Sequence, residues 1–177
     1  YSRPSIEAMI GYVPQEHILF SKSVKDNIAF GKRNATLSDI EKAIKTAAFS
    51  EDLKRMPDGL ETLIGERGVS ISGGQKQRIS LARAFIRQPE VLILDDSLSA
   101  VDAQTERRII KNLQDMRANQ TTIIVTHRLS AIQQADWVLV LEDGQIVEEG
   151  TPNQLLNKGG WYAEQYQRQQ HQRGGSK

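Results

Sequence analysis

The chain has no cysteine among its 177 residues. Disulfides and thiolate metal sites are therefore excluded, and the composition agrees with a reducing compartment. Apolar runs stop at about five residues, far short of the roughly 20 that a membrane-spanning helix needs. The formal net charge is only +1, so no strong field indicates a nucleic acid or an anionic membrane surface as a partner.

A phosphate loop is also absent. The pattern G-x-x-x-x-G-K-[ST], in which backbone amides wrap phosphates and the lysine pairs with them, occurs nowhere in the sequence. What is present is an ordinary globular composition, 38% hydrophobic and 25% charged, on a chain long enough for one domain with a sizeable core.

Three short apolar runs predict strands. They cover residues 10–13, 91–94 and 121–125, and the last two are apolar or β-branched throughout, as in strands buried within a parallel sheet. A helical pattern over roughly 102–116 lies between them and predicts a βαβ unit. The fold class is therefore α/β.

Helical periodicity fills the chain between the first two strands. Residues 23–57 predict helices, one of them behind a possible N-cap at Ser38. Residues 75–87 predict an amphipathic helix that has Ser72 as a plausible N-cap and ends before Pro89.

The last third predicts a hairpin and one helix. Residues 138–141 and 146–147 flank an Asp-Gly turn at 143–144, and a helix begins after Thr151 and Pro152. Its expected anchors are Leu155, Leu156, Trp161 and Tyr162. The polar, Gln-rich residues 166–177 predict a disordered tail.

Two adjacent carboxylates follow the second strand. In open α/β sheets, ligands bind beyond the carboxyl ends of strands, where Asp95 and Asp96 are expected. One could hold Mg²⁺, usually through water, and the other could act as a base or orient an attacking water. An isolated pair of this kind more often only ends a strand and begins a turn.

Three further features could complete a nucleotide site. Ser72, Gly73, Gly74 and Gln75 open a helix, where free amides can meet a phosphate, although two glycines can also mark a tight turn. His127 follows the third strand and could contact a γ-phosphate or the attacking water, although a lone histidine is more often structural. Gln15, after the first strand, could complete metal or water coordination.

The order of these motifs resembles the nucleotide-binding domain of ABC transporters. The matching segments are YVPQ (12–15), ISGGQKQR (71–78), LILDD (92–96), SAVD (99–102) and IVTH (124–127). The resemblance implies a P-loop NTPase-like ABC ATPase core over residues 1–165, with a helical signature subdomain at 16–88. It also implies ATP and Mg²⁺ as cofactors.

The resemblance implies a role for each matching residue. Gln15 corresponds to the Q-loop glutamine, Ser72 to Gln75 to the signature, Asp95 to the Walker B magnesium aspartate, Asp102 to the D-loop aspartate and His127 to the switch histidine. Glu66 lies in a Gly-Glu-Arg-Gly segment similar to the loop that exporters place before the signature to touch their membrane domains. That loop favours an exporter.

Two departures from the family pattern affect the expected activity. The chain starts after the position of the Walker A loop, so we expect a domain without its N-terminal β subdomain and unable to hold ATP alone. Asp96 stands where the family has a catalytic Glu, and the shorter side chain predicts slow hydrolysis. With the signature intact except for Ile71 in place of Leu, this favours the less active half of a heterodimeric exporter.

The resemblance also implies partners and a location. We expect a second nucleotide-binding domain, an upstream transmembrane domain and a position at the cytoplasmic face of the cell membrane, for export of a small substrate such as a drug or lipid. Two alternatives are a non-hydrolytic regulatory module and a soluble ABC-type ATPase of DNA repair or translation. Nucleic acid is not expected as a partner, because the basic residues of the signature helix are typical of a solvated face.

Overall fold

A sheet of three parallel strands organises the first part of the chain. The computed structural model describes residues 3–66 and 68–174, and its strands β1 (Ile10–Val13), β2 (Val91–Asp95) and β3 (Thr121–Val125) lie in the order β1-β2-β3. Val13 pairs with Leu94 and Asp95 with Val125, so the carboxyl ends of the strands meet at one edge. The predicted α/β sheet is confirmed.

One helix precedes β1, and further helices lie between the strands of this sheet. They are α1 (Arg3–Met9), α2 (Val24–Ala29), α3 (Leu37–Thr46), α4 (Ser50–Lys54), α5 (Gly73–Phe85) and α6 (Ala103–Met116). The helix α1 was not predicted from the sequence. The helices α2 to α5 lie between β1 and β2, where the periodicity predicted helices, and α6 forms the crossover from β2 to β3.

The caps of α3 and α5 are both capping boxes. The Ser72 hydroxyl accepts from the Gln75 amide, and the Gln75 side chain accepts from the Ser72 amide, at 3.2 and 2.9 Å; the predicted N-cap is confirmed. The predicted cap at Ser38 is wrong. Thr36 caps α3 instead, because it has Asp39 three residues on to return the hydrogen bond.

One face of the sheet packs against helices to form the main core. Its largest fully buried side chains include Ile28, Phe49, Ile79, Leu81, Leu92, Leu94 and Ile109. On the other face, Tyr12, Ile123 and Val125 are 55%, 46% and 52% exposed. Strands of a parallel sheet are normally covered on both faces, but these side chains leave the second face of this sheet partly exposed.

The chain divides into two compact units, Tyr1–Thr126 and His127–Lys177. The second contains the antiparallel hairpin β4 (Val138–Glu142) and β5 (Gln145–Gly150). Its turn residues Asp143 and Gly144 both have positive φ, as a two-residue hairpin turn requires. The hairpin prediction is confirmed, whereas the assignment of residues 1–165 to one domain stays a prediction.

Two helices follow the hairpin where the sequence predicted one. They are α7 (Pro152–Lys158) and α8 (Trp161–Gly174), and Gly159 ends α7 with a φ of 70°, a left-handed conformation that glycine adopts without steric cost. Leu155 and Tyr162 are buried anchors as expected. Trp161 is 46% exposed, so its predicted anchoring role is wrong.

The predicted disordered tail is helical up to Gly174, and residues 175–177 lie outside the described part of the chain. Gln and Arg have high helix propensity, which the polar composition concealed. A hydrogen bond also fixes α8, because the Gln169 side chain accepts from the Leu129 amide at 3.1 Å. Within residues 3–66 and 68–174, no helix is long and apolar enough to cross a membrane.

Candidate functional site

Asp95 and Asp96 lie at the carboxyl end of β2, as predicted. The Tyr12 hydroxyl, on the neighbouring strand β1, donates to Asp95 Oδ2 at 2.9 Å. This hydrogen bond raises the pKa of the Tyr12 phenol above its usual value, because losing the proton would leave two negative oxygens in contact. Asp95 is thus held from the side by β1.

Asp96 takes an unusual backbone conformation. Its φ is 47°, in the left-handed region that few residues other than glycine, asparagine and aspartate adopt. Its amide donates to the Val125 carbonyl at 2.8 Å, which continues the pairing with β3 by one residue. A strained conformation that the surrounding structure maintains is typical of functional sites.

Gln15 and Asp96 are brought together although 81 positions separate them. The Gln15 Nε2 donates to Asp96 Oδ2 at 3.1 Å. Since a carboxylate only accepts, the amide nitrogen must face it, and the Gln15 Oε1 remains as a ligand atom. The sequence predicted Gln15 only as a possible ligand of metal or water after the first strand, and that role stays a prediction.

The oxygens of this edge fit Mg²⁺. Carboxylate and amide oxygens are the donors that this ion prefers, and it usually binds through one or two carboxylates, water and substrate phosphates. Asp95 and Gln15 supply such atoms. No group of three or more His, Cys, Asp or Glu able to hold a metal occurs among the described residues.

The segment predicted to bind phosphate, residues 72–75, lies at the start of α5. Ser72 and Gly73 are exposed, and a Cβ at Gly73 would meet only Ala100, at 3.9 Å. At Gly74 a Cβ would lie 3.0 Å from the Ala100 carbonyl oxygen, closer than ordinary contact, so this position favours glycine. Gln75 donates to Asp52 at 3.1 Å.

Asp102 is the N-cap of α6. Its Oδ1 accepts from the amides of Gln104 and Thr105, each at 2.9 Å, and its Oδ2 accepts from the Thr105 hydroxyl at 2.6 Å. The hydroxyl and then the amide of Thr105 lower the pKa of Asp102 below its usual value. The carboxylate is exposed and charged. The role of Asp102 as the D-loop aspartate stays a prediction.

Glu66 lies at the exposed tip of a tight turn. Gly65 has a φ of 106°, and the Val69 amide donates to the Leu63 carbonyl at 2.8 Å, which closes the turn. Arg67 is the next residue of the loop predicted to contact a membrane domain, and it lies outside the described part of the chain. The turn presents Glu66 to solvent, and its contact with a membrane domain stays a prediction.

His127 is the first residue of the second unit. Its carbonyl accepts from the Gln169 Nε2 at 2.8 Å, and the same Gln169 side chain accepts from Leu129. The backbone beside His127 is therefore held by α8, and the imidazole is exposed. Its role towards a phosphate stays a prediction.

Sequence reasoning missed two residues of this region. Tyr12, next to the predicted strand end, contacts Asp95 directly. Gln77 is fully buried and accepts from the Ala100 amide at 2.9 Å. Side chains alternate between the two faces of β1, which places Tyr12 on the same face as Asp95, so the sequence could have indicated this contact. For Gln77, by contrast, nothing in the sequence pattern indicates which residues it contacts.

The comparisons with known proteins agree with this geometry. The family model described as ABC transporter matches residues 1–99. The chain belongs to the ABC transporter family. Its α/β fold is accordingly part of a P-loop NTPase domain. A solved structure of a bacterial Atm1-family ABC exporter with ATP bound superposes with a TM-score of 0.89 at 39% identity, over 95% of this chain and 30% of that one.

Curated relatives are ATP-binding proteins of the same family. The chain is 58% identical over 165 residues to the probable multidrug resistance ABC transporter ATP-binding/permease protein YheI of Bacillus subtilis, covering 93% of this chain and 28% of that protein. It is 46% identical over 164 residues to the uncharacterized ABC transporter ATP-binding protein YfiB of the same organism, with the same coverage of 93% and 28%. The chain thus spans just over a quarter of these relatives.

Proposed function

We propose that this chain is part of the ATP-hydrolysing motor of an ABC exporter. The observation that carries the proposal is the hydrogen bond from Gln15 to Asp96 beside Asp95, at the edge where strands of an α/β sheet present ligands. The soluble repair and translation ATPases are disfavoured, because the similar proteins with named architecture are permeases or exporters.

Three side chains would share the chemistry at this edge. Asp95, through water, and the Gln15 Oε1 would hold Mg²⁺, whose positive charge would be supplied to the phosphates. Asp96 would orient the attacking water and accept its proton. Gln15 would keep the Asp96 carboxylate aimed at that water, since its amide already holds one of the two carboxylate oxygens.

Completion of the site requires a second nucleotide-binding domain and a phosphate loop. The exposed opening of α5 at Ser72 and Gly73 would contact the nucleotide of the partner domain, where helix amides can bind phosphate. Asp102 would lie at the interface between the two domains, and His127 would contact the γ-phosphate. Glu66 would contact a transmembrane domain, and the motor would then lie at the cytoplasmic face of the membrane.

Asp96 supports an asymmetric, heterodimeric pair. Aspartate is one methylene shorter than the glutamate that the family uses at this position, and a misplacement of about 1 Å can cost on the order of 10²-fold in rate. The signature of this chain would then serve a more active site that contains the partner's Walker motifs. The transported substrate would be a small molecule, of the drug class that the name of the Bacillus relative indicates.

The substitution Asp96→Glu tests this account in the full-length protein with its partner. We expect ATP turnover at this site to rise by about ten-fold or more, because the longer side chain reaches the attacking water. Asp96→Asn, which keeps the length but removes the base, is the matched control and should not raise turnover. Unchanged turnover in Asp96→Glu, with ATP binding intact, would favour a non-hydrolytic regulatory module.

A further inference from the structure

One buried amide contacts both loops of the proposed site. Gln77 is fully buried in α5, and its Oε1 accepts from the Ala100 amide at 2.9 Å. Its Nε2 lies 2.9 Å from the Nε2 of His17. Ala100 belongs to the loop between Asp96 and Asp102, and His17 follows Gln15 by two residues.

The hydrogen-bond directions follow from chemistry. A backbone N–H can only donate, so the Gln77 oxygen faces Ala100 and the amide NH₂ faces His17. The Nε2 of His17 must then accept, which places the proton of the ring on Nδ1. His17 Nδ1 is buried and has no partner among the described residues. Gln77 is therefore the group that fixes the ring through a hydrogen bond.

Together with the backbone, these hydrogen bonds form a closed path that includes the Gln15–Asp96 hydrogen bond. The chain runs from Gln15 to His17, hydrogen bonds lead through Gln77 to Ala100, and the backbone returns from Ala100 to Asp96. The Asp96 carbonyl also accepts from Ser99 at 3.0 Å, which stiffens this last part. Loss of the Gln77 hydrogen bonds would break this closed path and leave the distance between Gln15 and Asp96 less constrained.

We propose that Gln77 is a positioning residue that holds the Gln15 segment and the Ala100 loop in register, so that Gln15 and Asp96 meet at the site of hydrolysis. This inference rests on the proposed function. Gln77 does not reach the site itself, since it is enclosed in the core beneath the two loops. Its effect is on the rate of the chemical step, while binding of ATP depends on other residues.

Two substitutions separate positioning from ordinary core packing. Gln77→Leu keeps most of the volume but removes both hydrogen bonds. Gln77→Glu keeps an oxygen for the Ala100 amide and can accept from His17 once the ring carries its proton on Nε2. If Gln77 only filled space, Leu would be tolerated at least as well as Glu, because a buried carboxylate is costly.

The first measurement is the proton position on His17 in the full-length protein. With ¹⁵N-labelled histidine in lipid bilayers, nuclear magnetic resonance distinguishes a protonated from an unprotonated ring nitrogen, and His17→Asn identifies the signal. We expect the proton on Nδ1 in the unsubstituted protein and on Nε2 in Gln77→Glu. A proton on Nε2 in the unsubstituted protein would overturn the hydrogen-bond arrangement and the proposal with it.

The second measurement is ATP turnover in the same preparations. With the partner domain present, we expect the kcat of this chain's own site to fall at least about ten-fold in Gln77→Leu while its KM for ATP changes less than about two-fold, and Gln77→Glu to recover much of the loss. Gln145→Leu, the same change at an exposed glutamine of β5, should match the unsubstituted protein. Unchanged kcat in Gln77→Leu, or equal loss in both Gln77 variants, would overturn the positioning role alone. No turnover in the unsubstituted protein would instead refute the proposed function.

Discussion

Arg78 of α5 contacts Asp52 of α4 through two hydrogen bonds, at 2.6 and 3.1 Å, in a paired geometry. The same guanidinium lies over the Phe49 ring and donates to the Ala48 carbonyl. Burial acts to raise the pKa of Asp52, but the hydrogen bonds from Arg78 and Gln75 outweigh it and hold the pKa below its usual value. The opening of α5 is thereby anchored to α4.

Removing this anchor should loosen the start of α5. Arg78→Leu is expected to lower the local free energy of opening there by about 2–3 kcal/mol, because the Asp52 charge is left partly buried without its partner. Amide hydrogen exchange of α5 measures the change. Lys54→Ala breaks the exposed pair with Glu51 on the same α4 and should cost under about 0.5 kcal/mol. Equal effects of the two substitutions would contradict a special role for Arg78.

A carboxylate on the hairpin caps α8. Glu148 accepts from the amides of Trp161 and Tyr162 at 2.7 and 3.2 Å, where the dipole of the helix favours a negative charge. Glu148→Ala should therefore destabilise the first turn of α8 by about 1–2 kcal/mol, measured by hydrogen exchange of that turn. Glu149→Ala is the control on the exposed neighbour, and the prediction fails if it has the same effect.

The Asp39 carboxylate at the start of α3 makes the folding stability depend on pH in the acid range. Hydrogen bonds from Lys32 and then Thr36 lower its pKa to about 2. Because the pKa is lower in the folded chain than in the unfolded one, its contribution is complete above about pH 4 and is lost as the pH falls towards about 2. Urea unfolding of the chain should show the stability advantage over Asp39→Asn shrinking across this range. A constant difference would show that the Asp39 charge contributes nothing.

The sequence predicted those parts of the fold that depend on local patterns. The apolar runs at residues 91–94 and 121–125 located two strands, and Ser72 before an amphipathic run located the cap of α5. Ser38 failed as a cap because Thr36, with Asp39 to complete the box, competes for the same helix start. The residues 166–174 were misjudged because polarity was interpreted as disorder, although Gln169 has partners in its own unit.

The sequence could predict the part of the site that follows from the order and direction of the strands. Parallel strands bring their carboxyl ends together, which is why Gln15 and the Asp96 carboxylate were expected at one edge. The positive φ of Asp96 and the buried partners of Gln77 arise from packing between segments distant in sequence. No periodicity or local motif encodes such contacts, so they required the structure.

The most direct test of the motor is the dependence of ATP turnover on Asp95. In the full-length protein with its partner domain, we expect phosphate release that requires Mg²⁺, and a fall of about 10²-fold or more in the turnover of this site in Asp95→Asn, because one Mg²⁺-binding charge is lost. Gln145→Leu should leave it unchanged. Turnover in Asp95→Asn equal to that of the unsubstituted protein, or no Mg²⁺-dependent phosphate release at all, would contradict the account.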